Sequence, residues 1–189
     1  DYYASRGLGD VYKRQVEYKG TGYSLSSKTA FQYLSDHQGI DQDFSPASIY
    51  FARQDQKQKM FSEEFNIKST TDGWYKWLFG AFGFWQGIDN TVIMDYLSAA
   101  YSSRKLYDTP TYGIAFYHQS TFDDLLVDGL SATIGIRYDY ERASTDYLSF
   151  KDTEQESKEL DAFYSKLKFS QVTPKFALQL SLIHISEPT

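Results

Sequence analysis

The 189-residue chain has no cysteine, which excludes disulfides and thiolate metal sites but leaves the redox compartment open. It also lacks a long apolar run. The longest, Trp77 to Trp85 (WLFGAFGFW), is nine residues, against the roughly 20 that a membrane helix needs and the roughly 9 to 11 of a tilted membrane strand. A spanning helix is therefore excluded, and a spanning strand is not. A basic excess is missing too: the net charge is −6, no strong basic patch points to nucleic acid, and partners held through phosphate are not expected. No signal peptide opens the chain and position 1 is Asp, which reads as truncation. Aromatic rings, by contrast, are abundant. The 17 Tyr and 14 Phe bring aromatics to 18% in a chain whose mean hydropathy is −0.52. Polar on average yet rich in rings is the balance of strands that alternate between a lipid face and a wet interior and gather rings at two interfaces.

The organising stretch is Leu130 to Glu141, LSATIGIRYDYE. Its even positions are Leu130, Ala132, Ile134, Ile136, Tyr138 and Tyr140, and its odd positions are Ser131, Thr133, Gly135, Arg137, Asp139 and Glu141. Side chains alternate across a strand, so this segment has one apolar face and one charged face. Taken alone it fits a half-buried strand of a soluble antiparallel sheet as well as a wall strand of a transmembrane barrel.

The same alternation recurs from Tyr23, in Gln58 to Ser69 (with Glu63 interrupting the apolar face), in Trp74 to Gln86, Thr111 to Asp123, Phe163 to Ser170 and Lys175 to Leu180, with a further short strand in Val16 to Gly20. Between these strands the connections run long (Ile40 to Asp55), short (Thr70 to Gly73, an Asp-Gly turn), long (Gly87 to Pro110, with a short helix around Met94 to Arg104), short (Asp124 to Gly129), long (Leu148 to Ala162) and short (Gln171 to Pro174). In an up-and-down meander every second connection lies at the same end, so long loops share one rim and short turns the other, which is the arrangement of outer-membrane barrels. The fold expected is all-β, an antiparallel up-and-down meander forming part of a large transmembrane β-barrel, incomplete and open.

Four stretches, SSKTAFQYLSDHQGIDQDFSP, FSEEFNIKSTTDGWYKWLFGAFGFWQ, YGIAFYHQSTFDDLLVDGLSATIGIRYDYE and FSQVTPKFALQL, together resemble the barrel of a TonB-dependent outer-membrane receptor. The likeness includes Ser62 to Glu64 before a hairpin, Trp77 to Gly80 after it, and the Gly-x-Arg-Tyr of Gly135 to Tyr138. It covers nearly all of 16–180. The opening 1–15 and the closing 181–189 instead resemble translated sequencing adapter, and are set aside as artefactual tails. The resemblance implies a location in the outer membrane of a Gram-negative bacterium and a parent barrel of about 22 strands around a plug. It also implies three partners: outer-membrane lipid, a scarce nutrient such as a ferric chelate, and the TonB complex reached through the plug, which this stretch lacks.

Catalytic chemistry is not expected. No nucleophile stands with a base, and the GxG of Gly20 to Gly22 is too short for a phosphate loop. His118 reads as a wall histidine, and His37 with Asp36, Asp41 and Asp43 as a solvated acidic loop. No cofactor or metal site is expected. Arg137, Asp139 and Glu141 are expected to form a lumen-facing, hydrogen-bonded wall. The function expected is that of a fragment of an importing receptor. Alternatives are a passive outer-membrane porin or channel and a soluble carbohydrate-binding β-sandwich, whose strands would bury Ile134 and Ile136 under a second sheet.

Overall fold

The computed structural model describes residues 3–42 and 49–181, with side chains from residue 7 onward. These form seven strands: β1 (Tyr3–Lys19), β2 (Tyr23–Asp41), β3 (Tyr50–Ser69), β4 (Tyr75–Tyr96), β5 (Tyr101–Phe122), β6 (Leu130–Asp152) and β7 (Ser157–Leu180). Each pairs antiparallel with the next in the order β1-β2-β3-β4-β5-β6-β7, giving one open up-and-down sheet.

The strands are longer than the alternation suggests. The stretch from Gly87 to Pro110 is neither loop nor helix: β4 and β5 continue as a hairpin from Gly87↔Pro110 to Tyr96↔Tyr101. Likewise Leu148 to Ala162 is the tip of the β6-β7 hairpin, closed by a turn where Thr153 and Glu156 exchange three hydrogen bonds. The Ile40 to Asp55 connection shrinks to 42–49, of which 43–48, Asp43 among them, lie outside the described residues. Pairing continues here because backbone groups of neighbouring strands satisfy one another whatever the side chains are. Alternation stops because beyond the apolar zone polar and apolar residues mix on both faces, with Ile88, Val92 and Met94 on one and Ile93, Leu106 and Leu148 on the other. Gln171 to Pro174 is not a turn either; Phe163 to Ser170 and Lys175 to Leu180 are one strand. Inside β7 the alternation changes phase, so that Phe163, Leu167 and Phe169 share a face with Arg137 and Glu141 while Val172, Phe176 and Leu178 share the face of Ile134. Pro174 sits on a strand paired on one side only, where a missing N–H is tolerated.

Residues directly opposite in the ladders point to the same face, so rows can be followed across the sheet. One row runs Leu25, Ile67, Phe79, His118, Ile136, Pro174, and the next Val16, Ser27, Phe65, Ala81, Phe116, Tyr138, Val172. Nothing among the described residues covers this apolar face. Ile134 and Ile136 are each 54% exposed, Phe65 56% and Phe116 55%. Among the described residues the only buried hydrophobic side chains are Ala115 and Ala132. The described residues thus form a single layer, with no second sheet among them over Ile134 and Ile136.

Aromatic rings bound the apolar zone at both ends. At one end are Tyr75, Trp77 and Phe122, the first and last with ring centroids 5.3 Å apart. At the other is the row Phe31, Phe61, Trp85, Tyr112. Ten steps along β5 from Phe122 to Tyr112 at about 3.4 Å each, with a strand tilt of about 40°, span roughly 25 Å, the height of an outer-membrane barrel's apolar band. Within the band Glu63, which breaks the pattern, accepts hydrogen bonds from Ser27 Oγ (2.6 Å) and Thr29 Oγ1 (2.5 Å) on β2, so the carboxylate is partnered rather than stranded. The band also marks where the pattern fades in β1: Val16 and Tyr18 fit the apolar face, but Asp10 and Arg14 fall on it as well.

Candidate functional site: the polar face

The opposite face carries two adjacent rows, Ser26, Asn66, Gly80, Tyr117, Arg137, Thr173 and Lys28, Glu64, Phe82, Ala115, Asp139, Gln171. Two of the three wall residues read from sequence meet. Arg137 grips Asp139 two residues along β6, with Nε 2.9 Å from both carboxylate oxygens and Nη2 2.7 Å from Oδ1. This two-pronged geometry is the strongest form of such a pair. Glu141 shares the face but not the contact; it is exposed, opposite Gly113 and Phe169.

Sequence reasoning missed the centre of the network. The Arg137 guanidinium lies 5.5 Å from the Tyr117 ring centroid. Tyr117 Oη is 2.9 Å from Glu64 Oε1 and 2.7 Å from Asn66 Oδ1, so its single proton serves one acceptor at a time. Asn66 Nδ2 donates to Glu64 Oε1 at 2.9 Å, and Lys28 Nζ reaches Glu64 Oε2 at 3.4 Å. Tyr117 is on β5 and its acceptors on β3, with β4 between them. The reach is possible because Gly80 has no side chain: a Cβ there would stand 2.1 Å from the Tyr117 ring. The same device recurs at Gly135, over which Lys175 Nζ on β7 donates to Gln119 Oε1 on β5 at 2.9 Å. The sequence offers only the glycine as a signal; its ladder neighbours, Asn66 and Tyr117, emerge with the register.

The arrangement is a hydrogen-bonded wall spanning β2 to β6, interrupted by the stacked pair Phe82 and Phe84, 6.0 Å apart. No group of three metal-binding side chains occurs among the described residues. His118 sits on the apolar face, its ring 4.1 Å from that of Phe79 and its nitrogens 3.1 Å from the Leu78 carbonyl and 3.0 Å from Ser120 Oγ. His37 pairs with Asp55 across the β2-β3 hairpin.

No protein-family model matches the chain, and no curated protein does. Solved structures do. The chain superposes on the ferric yersiniabactin uptake receptor FyuA from Yersinia pestis with a TM-score of 0.75 at 16% identity over 95% of its length. It superposes on the ferric citrate transporter FecA in its unliganded form with a TM-score of 0.71 at 8% identity over 95%, and on the ferric-catecholate import receptor Fiu from K12 E. coli with 0.56 at 10% over 92%. It spans 27%, 26% and 30% of those chains. Identities this low speak for the fold alone, and the fold of these seven strands is that of part of the β-barrel of outer-membrane receptors.

Proposed function

We propose that residues 16–180 form part of the barrel wall of a TonB-dependent outer-membrane receptor that imports a scarce nutrient such as a ferric chelate, and that the flanking 1–15 and 181–189 are adapter-derived tails. The observation that carries this reading is the uncovered apolar band, about 25 Å tall and ringed by aromatics, set against a polar face that is hydrogen-bonded from β2 to β6. Greasy side chains then meet acyl chains, and Arg137, Asp139, Glu141, Tyr117 and Glu64 face the lumen. The proteins it resembles are named for ferric yersiniabactin, ferric citrate and ferric catecholates. In this reading the wall shapes the path while a plug, coupled to TonB, gates it. The chain does no covalent chemistry; its partners are outer-membrane lipid, the nutrient, and the TonB complex through the plug.

The passive porin is the competing reading, because strands alone do not tell a plugged lumen from an open one. Upstream coding sequence separates the two: a plug of domain size, roughly a hundred residues or more, supports the receptor, and its absence supports the porin. A protease-protection assay in phosphatidylcholine vesicles tests the shared membrane reading. Protected band segments support it; a detergent-free, cooperatively unfolding monomer overturns it.

A further inference from the structure

We propose that the polar face holds a notch for a small quaternary ammonium ion, with Phe82, Phe84 and Phe169 as ring walls and Glu141 as counter-charge. The site belongs to the sheet itself and is independent of the nutrient that the parent carries. Two adjacent rows form it: Ser62, Phe84, Gly113, Glu141, Phe169 and Glu64, Phe82, Ala115, Asp139, Gln171. Their β5 members, Gly113 and Ala115, are small and buried between large neighbours. Small beside large leaves a recess of about 330 Å³, a volume in the range of small-molecule sites. The recess depends on the glycine, since a Cβ at Gly113 would stand 2.5 Å from Phe84 Cε1.

The charges around the recess leave one carboxylate over. Arg137 is committed to Asp139 and Lys28 to Glu64, each pair neutral by itself. Glu141 has no cationic partner among the described residues. Adjacent rows supply none across β3 to β7. Outward runs Met60, Gln86, Thr111, Ala143, Leu167, and beyond it Gln58, Ile88, Thr109, Thr145, Ser165, all uncharged. Inward runs Asn66, Gly80, Tyr117, Arg137, Thr173, whose one cation is already held by Asp139.

Rings beside a lone carboxylate select the kind of cation. A hard metal ion takes six or more oxygen ligands, and no group of three metal-binding side chains occurs among the described residues. A quaternary ammonium needs no hydrogen-bond acceptors. It is attracted by the negative faces of aromatic rings, and its methyl groups fill the space that a compact ion would leave. Phe82 and Phe84 stack 6.0 Å apart on one side of the recess, and Phe169 stands directly opposite Glu141 on the other. The recess opens on the face away from the apolar band, which favours a free solute over a lipid headgroup.

The test refolds the full chain in maltoside micelles, whose headgroup carries no ammonium, and titrates it with choline, followed by the proton shift of the N-methyl groups. Choline should bind about tenfold more tightly than dimethylbutanol, its neutral isostere, and about threefold more tightly than ethanolamine, which keeps the charge and lacks the methyls. Glu141→Gln, an isosteric change at an exposed site, should weaken choline binding about fivefold, and Phe84→Leu about threefold. Asp161→Asn, which removes a carboxylate from the same face beyond the notch, should leave the affinity unchanged. Choline bound no better than either analogue, equal loss in Asp161→Asn, or tighter binding of dihexanoylphosphatidylcholine than of choline each overturns the site while leaving the barrel wall standing. A wild-type chain that forms no sheet in the micelles, read by circular dichroism, overturns both.

Discussion

The two ends of the same strands obey different rules. Between the aromatic girdles β5 and β6 are sorted by face, with Ile134, Ile136, Phe116 and Tyr138 on one side and Arg137, Asp139 and Tyr117 on the other. Beyond Tyr112 and Arg142 the ladder goes on for some ten residues with polar groups on both sides: Asp108 opposite Asp146, Lys105 opposite Ser149, Arg104 beside Asp152. In the first region one whole face is apolar, as the proposed contact with acyl chains requires. In the second, hairpin hydrogen bonds and local ion pairs suffice.

The sharpest test of that division is a charge placed in each region. Phe116→Arg, at mid-band, should cost about 2 to 4 kcal/mol of stability in vesicles, read from urea titration, whereas Asp146→Arg in the extension should change it by less than about 0.5 kcal/mol. Equal costs would erase the boundary. Next in size, Gly80→Ala drives a Cβ into the Tyr117 ring and should cost about 1 to 3 kcal/mol by overpacking; Tyr117→Phe, which keeps the ring and loses only the hydroxyl, should cost about 1 kcal/mol.

The extension should respond to pH. Burial, with Asp89 and Asp146 on either side, pushes the Asp108 carboxyl above the usual carboxylate range. The folded hairpin therefore holds this proton more tightly than the unfolded chain does, so its stability is greatest below the ordinary carboxylate value and falls as pH rises through the raised one. Hydrogen-exchange protection at the β4-β5 tip, taken relative to the intrinsic base-catalysed rate, should fall across that window, and Asp108→Asn should abolish the fall. The smallest effect belongs to Arg104, which holds the Asp152 carboxyl below its usual range through bonds of 2.7 and 3.2 Å. That contribution is present above the ordinary carboxylate value and is lost as pH falls through the lowered one. Arg104→Gln should cost about 0.5 kcal/mol at neutral pH, by the same urea titration, and almost nothing at pH 2.

The division also explains what could be read from residues alone. Period-two alternation was legible wherever one face had to be apolar, so the band portions of β2 to β6 and the lower part of β7 carry the faces that their sequences imply. The outer portions are not legible: where polar and apolar residues mix on both faces, a paired strand and a loop look alike in sequence, and Gly87 to Pro110 reads as a long connection. The phase change in β7 imitates a turn, so that one strand looks like two in the sequence. At the polar wall, Arg137, Asp139 and Glu141 share a face by alternation along β6, but the meeting of Tyr117 with Asn66 and Glu64 is not legible, because it depends on a register that places Gly80 between Tyr117 and Asn66.

The tyrosine and lysine that reach across glycines tie strands that are not ladder neighbours, β5 to β3 and β7 to β5. Backbone ladders resist separation of adjacent strands but yield more readily to sliding. Cross-ties that skip a strand act as diagonal braces against such shear. A panel braced in this way keeps its outline under load, and in the proposed receptor a force applied within the lumen would go into moving the load rather than bending the frame.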